Sequence, residues 1–243
     1  MSKGPANKNW KSVDFDTHFI SGISVDTVIF GFHDRQLMVL LLQYRNTNSF
    51  ALPGGFIHKK EGADHAAQRV LKERTGLSDI FLEQFHTFAD SNRSDPSFFK
   101  TIMKARGEKT VKDHFLLRRF ITIGYYALVD FTRAIPTSEH NIGDCKWHDL
   151  KKLPPLIQDH KHIIAKALSL LRENLDQKLV GFNLLSEKFT MSELQILYET
   201  ILEKRFLRTS FQRRMLSLGI LKKVAIKKGV AHKAPYLYSF AAQ

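Results

Sequence analysis

The chain has one cysteine, Cys145, in 243 residues. A single thiol excludes an internal disulfide framework and a zinc site built on cysteines, and it fits a reducing compartment. Long apolar runs are missing too. The longest unbroken one, Leu37 to Leu42, is strand length and far short of the roughly 20 residues a membrane helix needs. The first eleven residues, MSKGPANKNWK, lack the apolar segment of a secretory signal. Repeats and low-complexity tracts are also absent, which leaves a soluble protein expected in the cytoplasm, with no membrane partner.

Acidic residues stop at Glu203. Beyond it stand Lys204, Arg205, Arg208, Arg213, Arg214, Lys222, Lys223, Lys227, Lys228 and Lys233, with no Asp or Glu to the end of the chain. The formal net charge is +13, and a one-sign field over the last 40 residues points to a polyanion, nucleic acid first. With 43% hydrophobic residues and 19 Phe, the chain has material for a domain of ordinary size and a smaller one.

Residues 1–18 are polar and mixed and read as a flexible arm. ISVDTVIFGF (23–32) and QLMVLLLQYR (36–45) follow as two strands about the turn HDR, then the Gly-rich turn LPGGF (52–56). DHAAQRVLKERTG places Ala67, Val70 and Leu71 at helical spacing and ends on Gly76. Strands are expected again at 80–88 and 120–131. Between them, 94–119 is basic and too long for a simple connection; a lid, a dimer arm, a DNA-facing element and a surface loop all fit its composition. Pro154 and Pro155 precede a helix expected from about Asp159 to Leu175. This is a mixed α/β domain, and a linker around 176–188 leads out of it.

From Phe189 the pattern changes. Thr190 and Glu193 have capping-box spacing, Phe189 and Leu194 are placed as a hydrophobic staple, and Leu194, Leu197, Tyr198 and Ile201 form one stripe. A second helix is expected to start with Thr209 as its cap and Gln212 completing another box, with Phe211, Met215 and Leu218 inward and Gly219 at its end. Two basic strands with KKG at or near the turn complete the outline of a winged helix over 183–243. Such folds dock proteins as well as DNA; the charge count favours DNA.

GFIHKKEGADHAAQRVLKERTGL (55–77) resembles the Nudix box, with Gly55, Glu61, Arg69, Leu71, Glu73, Gly76 and Leu77 in register. The resemblance implies a Nudix-fold α/β/α sandwich with a mixed sheet over 19–180. A hydrolase of this type holds divalent metal on carboxylates at the three positions that are Val70, Glu73 and Arg74 here. Arg74 some 5 Å from a doubly charged ion would be repelled by roughly 7 kcal/mol at an effective dielectric near 20. Glu73 has another role available, an ion pair with Arg69 one turn earlier. Glu61, Arg69 and Glu73 are the residual box residues; if any metal binds, Glu61 and Glu73 are its ligands. His58, His65 and Cys145 beside His148 suggest no stronger constellation.

A degenerate Nudix domain followed by FTMSELQILYETIL and TSFQRRMLSLGIL resembles the Nudix-related transcriptional regulators, as do YYALV (125–129) and LPPLIQDHKHII (153–164). Members of that family answer to ADP-ribose or to arabinose. The resemblance implies a homodimeric repressor that binds a double-stranded operator and a small effector, and no catalytic cofactor. Its effector residues would be Arg45, Gly54, Gly55, Phe56, Arg93, Arg119 and Tyr126. Its DNA residues would be Thr209, Ser210, Gln212, Arg213 and Arg214 on the reading helix, with Lys227 and Lys228 on the wing. A Mg²⁺-dependent nucleoside-diphosphate hydrolase with a basic tail is the alternative.

Overall fold

A computed structural model describes residues 15–78, 80–105, 114–129, 131, 143–175, 184–227 and 234–241. Most of the stretch read as an arm, part of the 94–119 insertion, most of the linker and Lys228 lie outside these residues. The described residues form two units. The first takes its residues from within 1–29, 39–127 and 135–167, the second from within 30–38, 128–134 and 168–243.

A helical turn, α1 (Phe15–His18), leads into β1 (Phe19–His33) and β2 (Gln36–Tyr44). Phe15 is buried, so the end of the stretch read as an arm is anchored by one packed ring, while Asp16, Thr17 and His18 stay exposed. Between the two strands Asp34 and Arg35 both take positive φ, 45° and 61°, the geometry that matches a two-residue turn to strand twist. β3 (Phe50–Ala51) pairs antiparallel with β2, and β4 (Gly54–His58) with β1. β5 (Glu83–Phe88), β6 (Ile121–Val129) and β7 (Gly143–Asp149) complete a mixed sheet ordered β3-β2-β1-β6-β5, with β4 on β1 and β7 on β2. The eight buried residues Ser24 to Gly31, charged only at Asp26, show why β1 is a central strand.

α2 (Ala63–Thr75) lies against β4. It buries Ala66, Ala67, Val70, Leu71 and Thr75, three of which join Val25, Ile57 and Tyr125 in one core cluster. Gly76 ends it at φ 74°, a left-handed conformation suited to glycine, with its N–H on Lys72 O. The insertion contains a helix, α3 (Pro96–Ala105), and a 3₁₀ turn at Phe115–Leu117 that packs on it. Helix α4 (His160–Glu173) follows the two prolines.

In the second unit, β8 (Phe189–Thr190) precedes α5 (Met191–Leu202), and α6 (Arg208–Ser217) precedes β9 (Leu221–Ile226) and β10 (Tyr236–Phe240). The three strands pair β8-β10-β9. The Thr190 capping box is present in full, with Glu193 N on Thr190 Oγ1 and Glu193 Oε2 receiving Thr190 N. The second expected box is not formed. α6 begins two residues earlier, at Arg208 with Leu207 in the cap position, and no side chain caps it; Thr209 is already inside the helix, where its hydroxyl cannot reach the first free N–H groups. Phe211 and Met215 are buried as expected, but Leu218 is 41% exposed, because the helix stops at Ser217 and the chain turns away.

Candidate functional site

Strand register creates the first site. The antiparallel pairing of β1 with β4 sets Asp26 opposite Gly54 and Val25 opposite Gly55. A Cβ on Gly54 would run into the Asp26 carboxylate, and one on Gly55 would stand 2.8 Å from Val70 Cγ2. The two glycines of LPGGF therefore make room, one for an acid and one for the helix. Thr27 fixes the turn by donating from both its N–H and its hydroxyl to Pro53 O, at 2.9 and 2.8 Å.

Above this turn is a cleft of about 910 Å³, counting its open mouth. Gly54, Gly55, Phe56 and Arg93 of the sequence-derived set line it. Arg45, Arg119 and Tyr126 do not. Arg45 stands exposed in the turn after β2, Arg119 donates to Ala89 O, and the buried Tyr126 donates its hydroxyl to Glu83 Oε2 at 2.9 Å. Sequence reasoning missed Asp26 and His160 in the lining, along with Phe99, Ile102 and Leu116 of the insertion. Asp26 had left a signal, as the one ionisable residue in ISVDTVIF.

The polar lining is ordered. Arg93 is buried and commits each of its nitrogens to protein: Nε and Nη2 to the two Asp159 carboxylate oxygens, both at 2.9 Å, and Nη1 to Phe120 O at 2.7 Å. His160 accepts Leu52 N–H at Nδ1, 2.9 Å away. Burial holds its pKa below the ordinary value against the pull of Asp26 and Asp159, so the ring is neutral with its proton on Nε2. Burial pushes Asp26 the other way, up from the usual carboxylate range, although His160, Arg93 and a Thr122 hydrogen bond oppose it.

The Nudix-box residues are occupied differently from those of a metal site. Arg69 donates to Glu61 through Nε and Nη2, each at 2.8 Å, to Glu73 through Nη1 at 3.0 Å, and to Phe56 O at 2.7 Å. Val70 is 1% exposed, in the core. Arg74 turns its Nε to Gly54 O at 3.2 Å and lines the cleft. Two carboxylates sharing one guanidinium, a buried valine and a cation do not fit a divalent metal ion, which needs several free oxygen donors. Cys145 is buried, with its Sγ 3.2 Å from Arg74 O, and His58 stacks on Phe19 at 4.5 Å.

The second site is the outer face of α6. Phe211 anchors the helix, its ring 5.4 Å from Tyr198 and 5.6 Å from Phe206. Thr209, Ser210, Arg213 and Arg214 are exposed and Gln212 is half-buried. The first turn of the helix carries the positive end of its dipole and no acidic residue. Lys227, at the end of β9, approaches Glu193 Oε1 at 3.5 Å. Among the described residues no helix is long and apolar enough to cross a membrane.

A Nudix fold whose metal positions have been converted, continued by a basic winged helix, defines a regulator of the sensor-plus-DNA-reader class. The family model for the NUDIX domain matches residues 21–168, and that for the NrtR DNA-binding winged helix domain matches 181–240. The chain is 29% identical over 231 residues to the ADPR responsive transcriptional repressor NtrR of Acinetobacter baylyi, covering 91% of this chain and 82% of that one. Shewanella oneidensis NrtR, crystallised with a 27mer DNA, is 31% identical with a TM-score of 0.66 over 90% of this chain and 93% of its own. A MutT/nudix family protein from Enterococcus faecalis shares the fold, with a TM-score of 0.68 and 21% identity over 91% of this chain and 87% of its own. The chain belongs to the NrtR family: it is a DNA-binding transcriptional regulator with a Nudix-like sensing domain.

Proposed function

We propose that this regulator is a cytoplasmic, homodimeric repressor that releases or grips its operator according to a small molecule held in the cleft between β1, β4 and the start of α4. The observation that carries the sensing role is the arrangement at Arg69. One guanidinium holds both remaining box carboxylates, while the cleft beside them is lined and open. A binding site persists where the metal chemistry has been dismantled.

Thr209, Ser210, Gln212, Arg213 and Arg214 read or clamp the duplex in this proposal, with Lys227 and Lys228 on the wing. Exposed arginines at a helix N-terminus suit phosphates and guanine edges. A homodimer follows from the two-fold symmetry of operators, which two reading helices match. The name of the Acinetobacter relative, an ADPR responsive repressor, makes ADP-ribose the first effector to try and repression the first direction. The ligand acts by differing in affinity for two dimer arrangements, and the shift cannot exceed that difference.

The test is a gel shift of the purified protein on DNA from upstream of its own gene and its neighbours, at about 100 mM salt, with ADP-ribose and with neutral sugars. A specific shift altered by one compound is expected. Sequence-blind binding that no compound changes, together with Mg²⁺-dependent turnover of a nucleoside diphosphate lost in Glu73→Gln, would replace this reading with the hydrolase.

A further inference from the structure

We propose that Leu207, at the cap of α6, is a specificity residue of the DNA interface and reads the C5-methyl group of a thymine in the major groove. This rests on the reading that α6 is the helix that enters the groove. It adds an apolar residue to a set that is otherwise polar or charged.

Leu207 is 77% exposed, more than any other large apolar side chain among the described residues. A lone exposed leucine is ordinary on a protein surface; its address is what distinguishes this one. It occupies the cap position of α6, where no side chain caps the helix. Ser, Thr, Asp and Asn suit that position because their oxygens accept the free N–H groups, and a leucine cannot. Neither capping nor burial accounts for the residue that stands there.

The turn between α5 and α6 holds Leu207 in place. Phe206 donates its N–H to Glu199 Oε1 at 2.8 Å, and its carbonyl accepts Gln195 Nε2 at 3.0 Å. Its ring lies 5.6 Å from that of the buried Phe211. Leu207 O in turn accepts Phe211 N–H at 2.9 Å. With the backbone fixed on both sides, the Leu207 side chain stands in solvent at the tip of the helix.

Its surroundings select the partner. Lys204, Arg205 and Arg208 are exposed around it, and no acidic residue follows Glu203. That charge draws a polyanion and repels a second copy of the same basic end. Lysine and arginine hold phosphates, while the residues at the start of a reading helix reach base edges. In the major groove those edges present hydrogen-bond donors, acceptors and one apolar group, the thymine methyl. A leucine makes no hydrogen bond through its side chain, so the methyl is what it recognises, by removing apolar surface from water on both partners.

The experiment titrates the full-length protein against a fragment from upstream of its own gene that it shifts specifically. The fragment is prepared once with thymine and once with uracil, which lacks only the methyl group. Wild type is expected to bind the uracil fragment about threefold or more weakly. Leu207→Ala is expected to bind both fragments alike, near the wild-type affinity for uracil DNA. Leu207→Ser, a better cap, is expected to unfold on heating no earlier than wild type and also to bind both alike, which separates a base contact from a role in holding the helix. Equal binding of the two fragments by wild type overturns the proposal, as does a thymine preference kept in full by both Leu207 variants. If Arg213→Ala combined with Arg214→Ala loses the fragment while the Leu207 variants keep that preference, the methyl contact falls and α6 remains the reading helix. If neither change affects binding, both fall.

Discussion

Arg93 and Asp159, 66 residues apart in the chain, are joined by two parallel hydrogen bonds of 2.9 Å. Their side chains are 3% and 18% exposed, and the Arg93 guanidinium also holds Phe120 O at 2.7 Å. The pair ties the loop after β5 to the start of α4 and leaves no nitrogen of Arg93 uncommitted. Asp159→Asn leaves a buried guanidinium without its counter-charge, and such losses run to about 3–5 kcal/mol. Urea unfolding of the variant should show a drop of that order. A stable Asp159→Asn protein with a weakened effector response alone would mean that Arg93 serves the ligand instead.

Asp26 has the opposite relation to stability. Burial raises its pKa from the ordinary 3.8. A carboxylate raised in the folded state contributes stability that is fully present below its unfolded pKa and is lost as pH rises through the folded value. Wild-type protein should therefore lose stability relative to Asp26→Asn as pH rises above about 4. Heat unfolding of both proteins at about pH 4 and pH 7 measures this, with the variant the more stable at the higher pH. Parallel curves would show that Asp26 titrates normally.

Val70 marks the point where the box was converted. It is in the core with Val25, Ile57 and Tyr125, and its Cγ2 stands 2.8 Å from where a Gly55 Cβ would lie. Val70→Glu, which restores a carboxylate, buries an unpaired charge and is expected to destabilise the protein by about 3 kcal/mol. The variant is expected to gain no Mg²⁺-dependent hydrolysis, because Arg69 still holds Glu61 and Glu73. Turnover appearing in a folded Val70→Glu protein would show that the remaining carboxylates are free to accept metal.

Arg213 and Arg214 face outward on a helix fixed by Phe211 and Met215. Changing either to Ala should cost roughly 1–3 kcal/mol of operator affinity if it reads a base. A smaller loss that is equal on unrelated DNA, with a shallower salt dependence, identifies a phosphate contact. Titrations at several salt concentrations separate the two. Unchanged binding in the double variant would remove α6 from the interface.

Much of this protein was legible in one dimension because its determinants are local. The β1–β2 hairpin, the helix ending at Gly76 and the Thr190–Glu193 box each depend on residues within a turn or two, and each formed as expected. The charge contrast beyond Glu203 needs no coordinates, and the Nudix box is a contiguous pattern. Local rules failed where tertiary packing set the limit. α6 starts at Arg208 although Thr209 and Gln212 have the spacing of a box. Leu218 stays exposed although it continues an apolar period.

The cleft was decided elsewhere. Asp26, Arg93, Thr122 and His160 come from four distant segments, and only strand register and the Arg93–Asp159 pair place them together. Nothing in the sequence states that Arg93 is consumed by Asp159, that Arg69 serves two acids, or that the insertion contributes Phe99 to the lining. Sequence alone determined the two folds and the basic reading end, since periodicity, capping and charge are properties of neighbouring residues. Tertiary structure alone decided which side chains are spent and which remain for a ligand, since hydrogen-bond partners and burial are relations between residues far apart in the chain.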